Sequence, residues 1–475
     1  MVDRVPTGID GLDEVAEGGF PRGSLILLAG EPGTGRTAFS MQFLAKGAEL
    51  GEPGVYVSFA EAKEALIGDL SKHLGVDLAK LEAEGKLRIL DYTAMKGEGS
   101  SAILEAILGE VQALGARRLA IDSFTAMAQA FEGPMDVRIV AHTVLGRIVR
   151  GMGVTTLMVE EVPVGRVGIG LGVEEFVADG VIRLRAGELD GRLFRDLEIW
   201  KLRGTRLSER KLAFTLEKGF RAFLPFKPKP TGRPGRFEPI PDPPGRFSTG
   251  SEDLDGVLGG GVPKGSTMLL ELDEKVSTLE YHLFVVPMAA NFALQNRGLL
   301  IVPSSGVDST MMYEYADVYC EKEKFRRYTR IIVAGGLTPP EELPNVIAAR
   351  GEDWREDLDK AVKVSEELRA ETGQPSLSIV GADTLIALYG EERCEEILNL
   401  SATIARRAGA AVMVLVKAGR RDLAIRLSPM ADVYLRLLRE HGCLLLYGVK
   451  PRTGLYAVEM DASKGHPLPK LTPIV

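Results

Sequence analysis

The chain repeats itself. Thr7 to Leu28 reads TGIDGLDEVAEGGFPRGSLILL, Thr249 to Leu270 reads TGSEDLDGVLGGGVPKGSTMLL, and 12 of these 22 positions match without a gap. The two copies are far too widely separated for solenoid units, which recur every ~20–50 residues. They mark the starts of two copies of one domain. A chain of 475 residues is also too long for one ordinary core. Between the copies, Leu224 to Phe247 reads LPFKPKPTGRPGRFEPIPDPPGRF. Its prolines forbid helix and favour an extended, semi-rigid spacer. The expected division is a first domain over 1–226, a Pro-rich linker over 227–246 and a second domain over 247–475.

In the first copy, short apolar runs alternate with helical stretches. Strands are expected at Leu25–Ala29, Val55–Phe59, Leu87–Leu90, Leu119–Ile121, Thr155–Val159, Val181–Leu184 and Leu197–Lys201. Thr37–Leu50 and Ala102–Leu114 carry helical patterns. The early runs are apolar on both faces, as strands of a covered parallel sheet are. Alternating strand and helix gives an α/β fold with right-handed crossovers, and the later, more alternating runs suggest an antiparallel edge.

After the first strand comes Gly30-Glu-Pro-Gly33-Thr34-Gly35-Arg36-Thr37, then the helical AFSMQFLAKGAEL. This is the phosphate-loop frame in its required strand–loop–helix setting. Glycines at 30, 33 and 35 let backbone amides reach phosphate oxygens, with Thr34, Arg36, Thr37 and Ala38 completing the cradle at the helix start. Thr37 would place its hydroxyl on Mg²⁺. Arg36 stands where a lysine is usual. It keeps the charge but replaces a compact ammonium with a bulky planar fork, so triphosphate binding should survive better than hydrolysis. Asp122 ends the strand Arg118-Leu-Ala-Ile121, where α/β sheets place ligands, and is the second candidate for the Mg²⁺ shell. A Gly-rich turn and a helix-capping aspartate are the bland alternatives, and the spacing and flanks argue against both.

Composition sets outer limits. Apolar residues make up 45% and charged residues 26%, ordinary for a soluble globular protein. A net charge of −8 opposes a general nucleic-acid coat, which needs surplus Lys and Arg. No apolar run approaches the ~20 residues that cross a bilayer, and Met1-Val-Asp-Arg shows no secretory pattern. The reading is cytoplasmic, with no membrane and no nucleic-acid partner. Cys320, Cys394 and Cys443 lack metal-ligand spacing and read as buried free thiols. Asn and Gln total only nine, a thermophile-like balance.

These residues resemble the KaiC family of RecA-type ATPases. The segments that carry the resemblance are TGIDGLDEVAEGGFPRGS, the phosphate loop, GVYVSFAE, GVDLAKLEAEGKLRILD, RRLAIDSFTAM, TTLMVEE, GVEEFVADGVIRL and LEIWKLRGT. They cover nearly all of the first domain. The resemblance implies two tandem RecA-like P-loop NTPase domains with mainly parallel central sheets, ATP and Mg²⁺ as cofactors, and a homo-oligomeric ring, a hexamer in the family, with nucleotide at subunit interfaces. It also implies roles. The family carries adjacent glutamates after the second strand, and here the pair reads Ala60-Glu61, which leaves Glu61 as general base unless it is only a solvated helix-start carboxylate. Lys201 and Arg203 of KLRGT match residues that reach a neighbour's phosphates. They alternate to one face of a strand, where plain charge cover is the competing reading. Pro163 to Gly180, with Arg166, reads as a mobile loop facing a channel.

The second copy has lost the loop. The shift that brings Thr7 onto Thr249 brings Gly30–Thr37 onto Leu272-Asp-Glu-Lys-Val-Ser-Thr278-Leu279. Every glycine is gone, and Asp273 and Glu274 repel phosphate. Asp383-Thr384 reads as a relic of the Asp122 pair, and Lys450-Pro-Arg452 as a relic of the Lys-x-Arg. Thr453-Gly-Leu-Tyr lacks the Ser/Thr pair that KaiC phosphorylates, so autokinase activity is not expected. Asp353 to Glu371 reads as an amphipathic charged helix. The expected function is a slow Mg²⁺-dependent ATPase in the first domain that acts as an oligomeric regulatory switch on an unidentified protein partner. The alternatives are a non-hydrolysing nucleotide-binding regulator, similar to archaeal gas-vesicle or archaellum relatives, and a recombinase-like DNA-binding ATPase, which the acidic charge opposes.

Overall fold

Leu25–Gly30 is buried along its whole length, and the first domain is built outward from it. A computed structural model describes residues 3–93, 100–129, 144–163, 177–231, 237–333 and 344–475. Most of the loop expected over 163–180, Arg166 included, lies outside these residues. The chain divides into two units, Met1–Pro225 with Pro473–Val475, and Phe226–Thr472.

The first unit's sheet contains β1 (Leu25–Gly30), β2 (Gly54–Ser58), β3 (Leu87–Asp91), β4 (Arg118–Asp122), β5 (Thr155–Glu161), β6 (Gly180–Leu189), β7 (Arg192–Leu202), β8 (Lys211–Thr215) and β9 (Arg221–Phe223). Their order is β9-β8-β7-β6-β1-β5-β4-β2-β3. The strands from β6 to β3 in that order are parallel, and β7, β8 and β9 extend the sheet antiparallel. Of the alternating runs after residue 180, Leu197–Lys201 lies in the antiparallel edge its pattern suggested, while Val181–Leu184 pairs parallel with β1. β8 and β9 were not anticipated.

Helices cover both faces, which is why β1, β2 and β4 have no polar side to spare. On one face, α1 (Arg36–Glu49), α2 (Lys63–Leu74) and α3 (Leu78–Ala83) bury Phe39, Phe43, Leu66 and Leu78 against Ile26, Leu28 and Tyr56. On the other, α4 (Ser100–Leu114) and α5 (Phe124–Gln129) bury Ile103, Ile107 and Phe124 against Leu27, Val55 and Ile121. Each such fully buried large side chain is worth roughly 1.5–3 kcal/mol over exposure. The loop after β1 is therefore mounted on a strand clamped from both sides.

The second unit repeats the plan with β10 (Thr267–Leu272), β11 (Leu299–Val302), β12 (Thr329–Val333), β13 (Val346–Ala348), β14 (Leu377–Gly381), β15 (Ala411–Val416), β16 (Val433–Glu440), β17 (Cys443–Lys450), β18 (Leu455–Asp461) and β19 (Leu468–Pro473). The order is β13-β12-β11-β14-β15-β10-β16-β17-β18-β19. The fold is thus α/β with two tandem RecA-like units of mainly parallel sheet. The charged helix read over 353–371 is Trp354–Thr372. Part of the Pro-rich stretch packs on this unit: Phe237 is buried beside Ala290 and Tyr319, and Ile240 exchanges hydrogen bonds with the Asn291 amide. All three cysteines are buried and free.

Candidate nucleotide site

The phosphate loop is shaped by contacts only glycine permits. A Cβ on Gly30 would sit 2.5 Å from the Thr34 hydroxyl, and one on Gly35 would sit 2.6 Å from Leu216. Gly33 and Gly35 have φ of 75° and 88°, the left-handed region that disfavours side chains. Thr34 is fully buried and its hydroxyl donates to the Glu31 carbonyl at 2.7 Å, closing the turn. Gly35 caps α1 with no side-chain hydrogen bond. The first amides of α1, from Arg36, Thr37 and Ala38, have no cap and face the loop, an arrangement suited to an anion.

Asp122 is brought to α1 by register. Ser58 on β2 pairs with Asp122 at the end of β4, and the Thr37 hydroxyl donates to Asp122 Oδ2 at 2.9 Å. Tyr56 Oη donates to the same oxygen at 2.6 Å. Tyr56 is 1% exposed. Burial first, then the Asp122 charge, holds its hydroxyl proton far more tightly than in water. Sequence reading placed Tyr56 only in a core strand, because nothing in an apolar run marks where one hydroxyl will point.

Arg36 does not point freely into the loop. Its guanidinium donates to the Glu160 carbonyl at 3.2 Å and lies 3.9 Å from the Glu161 carboxylate. Glu161 in turn accepts from Ser123 Oγ at 3.3 Å, and Thr125 joins the two glutamates by donating to Glu160 at 2.7 Å and accepting the Glu161 N–H. Glu160 and Glu161 were missed in the sequence. TTLMVEE ends in both, but an acidic strand end carries no spacing signal of its own.

Glu61 follows β2 and its backbone is fixed by Ser58, whose hydroxyl donates to the Glu61 carbonyl at 2.5 Å and accepts its N–H at 3.1 Å. Its carboxyl is pushed above the ordinary glutamate range by burial, then by the charges of Asp122 and Asp69. That makes it a stronger base than a free glutamate.

Lys201 and Arg203 are placed elsewhere. Lys201 pairs with Val181, and Val181 with Leu27, three residues before Gly30 and about 10 Å down the strand. Lys201 donates to the Ala178 carbonyl at 2.6 Å, and Arg203 to Asp179 at 3.3 Å. Burial, then the neighbouring Arg203 charge, lowers the Lys201 pKa. Both residues lie toward the end of the strands away from their own loop, so the structure does not bring them to the residues around Thr37.

In the second unit the corresponding helix start is capped by an acid of the chain itself. The N–H and hydroxyl of Ser277 donate to the Glu280 carboxylate at 2.6 and 2.7 Å, capping the helix Thr278–Leu294. Glu280 is 1% exposed and paired with Arg439. The ladders also correct one reading. Leu25 pairs with Thr156 and Arg118 with Thr155, while Thr267 pairs with Val412 and Leu377 with Ala411. The residue standing where Asp122 stands is thus Gly381, not Asp383. Asp383 lies two residues on, in the helix Ala382–Tyr389, where it accepts the Ser305 N–H and lies 3.5 Å from Lys417. By the same count Lys417 takes the place of Glu161, reversing its charge. Lys450 does take the Lys201 register, pairing with Tyr434.

The profile of the family described as ATPase: KaiC matches residues 5–221, and that described as GvpD basic region 2 matches residues 236–475. A UPF0273 protein of Aeropyrum pernix is 36% identical over 46% of this chain and 91% of its own length. The circadian clock oscillator protein KaiC of Synechococcus elongatus is 38% identical over 56% of this chain. The match spans about half of that clock protein, 52% of its length. The crystal structure of a KaiC-like protein from Pyrococcus horikoshii aligns with 47% of this chain and all of its own at 40% identity, with a TM-score of 0.43. With its phosphate loop, its Thr37–Asp122 contact and these profile and sequence matches, the chain belongs to the KaiC-like family of RecA-type ATPases, its second half being a GvpD basic region 2 domain.

Proposed function

We propose that the first domain binds Mg·ATP and hydrolyses it slowly, and that the bound nucleotide sets the state of a homo-oligomeric ring, a hexamer, that acts as a switch on a regulatory protein partner in the cytoplasm. The observation that carries this reading is the 2.9 Å contact between Thr37 and Asp122 beneath an uncapped helix start. A threonine hydroxyl and one carboxylate at that separation fit the way Mg²⁺ is held, by one or two protein oxygens plus substrate phosphates and waters. When bound, Mg²⁺ neutralises charge on the β- and γ-phosphate oxygens.

The remaining roles fall to the chain. The amides of Gly33, Gly35, Arg36, Thr37 and Ala38 orient the phosphates, with Gly30 and Thr34 holding the loop's curvature, and Arg36 adds positive charge. Glu61, its basicity raised by burial and by Asp122, accepts a proton from the attacking water. Lys201 and Arg203 act on the nucleotide of an adjacent copy, since they lie away from the loop of their own. The second unit, with Glu280 seated at its helix start, holds no nucleotide in this way. One nucleotide per chain is the expected load. Native mass spectrometry with and without Mg·ATP tests the reading: bare chains at saturating Mg·ATP would overturn it.

A second reading has support from Arg36. Because its fork is held by Glu160 and Glu161, and Ala60 replaces one family carboxylate, the site suits a regulator that binds ATP without turnover. Phosphate release followed over hours separates the two. Release above the rate of an Asp122→Asn variant supports the ATPase.

A further inference from the structure

Two elements touch the phosphate loop from outside it, and both are tied to one short distant segment. Arg195, on β7, donates from a terminal nitrogen to the Gly33 carbonyl at 2.8 Å. Leu216, just past β8, packs on Gly35 so closely that a Cβ there would be 2.6 Å away. Pro473–Val475 belongs to the same unit. The Val475 carbonyl accepts both from Arg195 Nε at 2.6 Å and from the Leu216 N–H at 3.3 Å. Thr215 fixes the segment a second time by donating to the Pro473 carbonyl at 2.7 Å.

From this network we infer that Arg195 and the Pro473–Val475 segment form a brace that positions the phosphate loop for the nucleotide. The inference rests on the ATP-binding reading above and adds residues to it that lie outside the loop. Arg195 is a positioning residue. Its planar fork presents two donors in fixed geometry, one to the loop and one to the segment, so each end steadies the other. Gly33 is in the left-handed region at 75° with no atom within 4 Å of where a Cβ would be, so the Arg195 bond is a direct restraint on a residue that packing leaves open. Without the brace, the loop must be ordered by the nucleotide, at the expense of affinity.

The test measures binding of a fluorescent ATP analogue by full-length protein carrying Arg195→Gln, deletion of Pro473–Val475, or both. Each change alone is expected to weaken binding about fivefold, as loss of one charge-assisted bond at a half-exposed site would. The double variant is expected to match the weaker single one, because both changes release the same restraint. Arg195→Lys, which keeps the charge but not the fork, should not restore the parent value. Thermal melting checks that each variant is folded. If the deletion unfolds the unit, Thr215→Val combined with Arg195→Gln, which removes the side-chain bonds to Pro473 and Val475 and is expected to match Arg195→Gln alone, takes its place. Parent-like affinity in the folded variants, or losses that multiply, would overturn the brace. Failure of the parent to bind would instead overturn the nucleotide reading on which it rests.

Discussion

Arg36 lies 3.9 Å from Glu161, and this pair accounts for the arginine where a lysine is usual. A carboxylate at the end of β5, beside the loop, would repel a triphosphate. The Arg36 fork neutralises it while also bonding the Glu160 carbonyl. The charge is therefore partly engaged within the site itself. Arg36→Lys should release a compact ammonium toward the phosphates and raise the hydrolysis rate by about tenfold, a barrier lower by ~1.4 kcal/mol. A turnover assay showing an unchanged or slower rate would count against it. Glu161→Gln should tighten ATP binding in wild-type Arg36 background, since the competing anion is gone.

Glu61 should behave as a base with a displaced acid limb. Its pKa is raised by burial first, then by Asp122 and Asp69. The active form is the carboxylate, so the rate should fall with decreasing pH sooner than an ordinary glutamate would dictate. Asp69→Asn removes one of the two named charges and should move that limb to lower pH. Glu61→Gln should lower turnover by about 10²-fold or more while leaving nucleotide affinity intact. Equal turnover in parent and variant would remove Glu61 from the mechanism.

Tyr56 shares one oxygen of Asp122 with Thr37. In Tyr56→Phe the carboxylate keeps Thr37 but loses its donor from below, and a group that holds a metal ligand in place is typically worth 10–100-fold in metal affinity. The variant should bind Mn²⁺ in the presence of ADP about tenfold more weakly, read by electron paramagnetic resonance. An identical Mn²⁺ titration would show that Tyr56 is core and nothing more.

Much of the first unit was legible because β1, β2, β4 and β5 are apolar runs with no ambiguity of face, and the loop announces itself by spacing. What could not be read depends on register and on distant partners. Whether Tyr56 meets Asp122 is settled only when β2 pairs with β4. Arg195 reaches Gly33 across 162 residues. Asp383 was misassigned because a repeat aligned by sequence does not carry its register through the altered segments between β10 and β14. β9, three residues long, was too short to stand out from the turn before it.

A stability prediction follows from Arg118, whose side chain is wholly buried. It donates to Glu52 through two nitrogens and to the Pro6 and Phe43 carbonyls. Burial alone would raise the Glu52 pKa, but hydrogen bonds from Arg118 and Arg22 outweigh it and the net shift is downward. A carboxyl whose folded pKa is depressed contributes stability above its unfolded pKa, and that contribution is lost as pH falls through the folded value. Glu52→Ala strands a buried guanidinium and should cost about 3 kcal/mol, seen as a lower denaturant midpoint at neutral pH. The deficit should narrow on acidification.

Lys201 and Arg203 give the sharpest test of the ring. They lie toward the end of the strands away from Thr37 and Asp122. If they complete a neighbour's site, two dead variants should rescue each other. Arg203→Ala keeps its own Asp122 intact, and Asp122→Asn keeps its own Arg203. Each should be inactive alone and should retain its fold. In an equal mixture that exchanges subunits, roughly a quarter of the head-to-tail interfaces pair an intact Asp122 with an intact Arg203. Turnover should return to about that fraction of the parent rate, and should rise with protein concentration as rings assemble. A mixture as inactive as its components, with exchange shown by mass, would mean that Lys201 and Arg203 only balance the charges of Asp179 and their neighbours on the sheet.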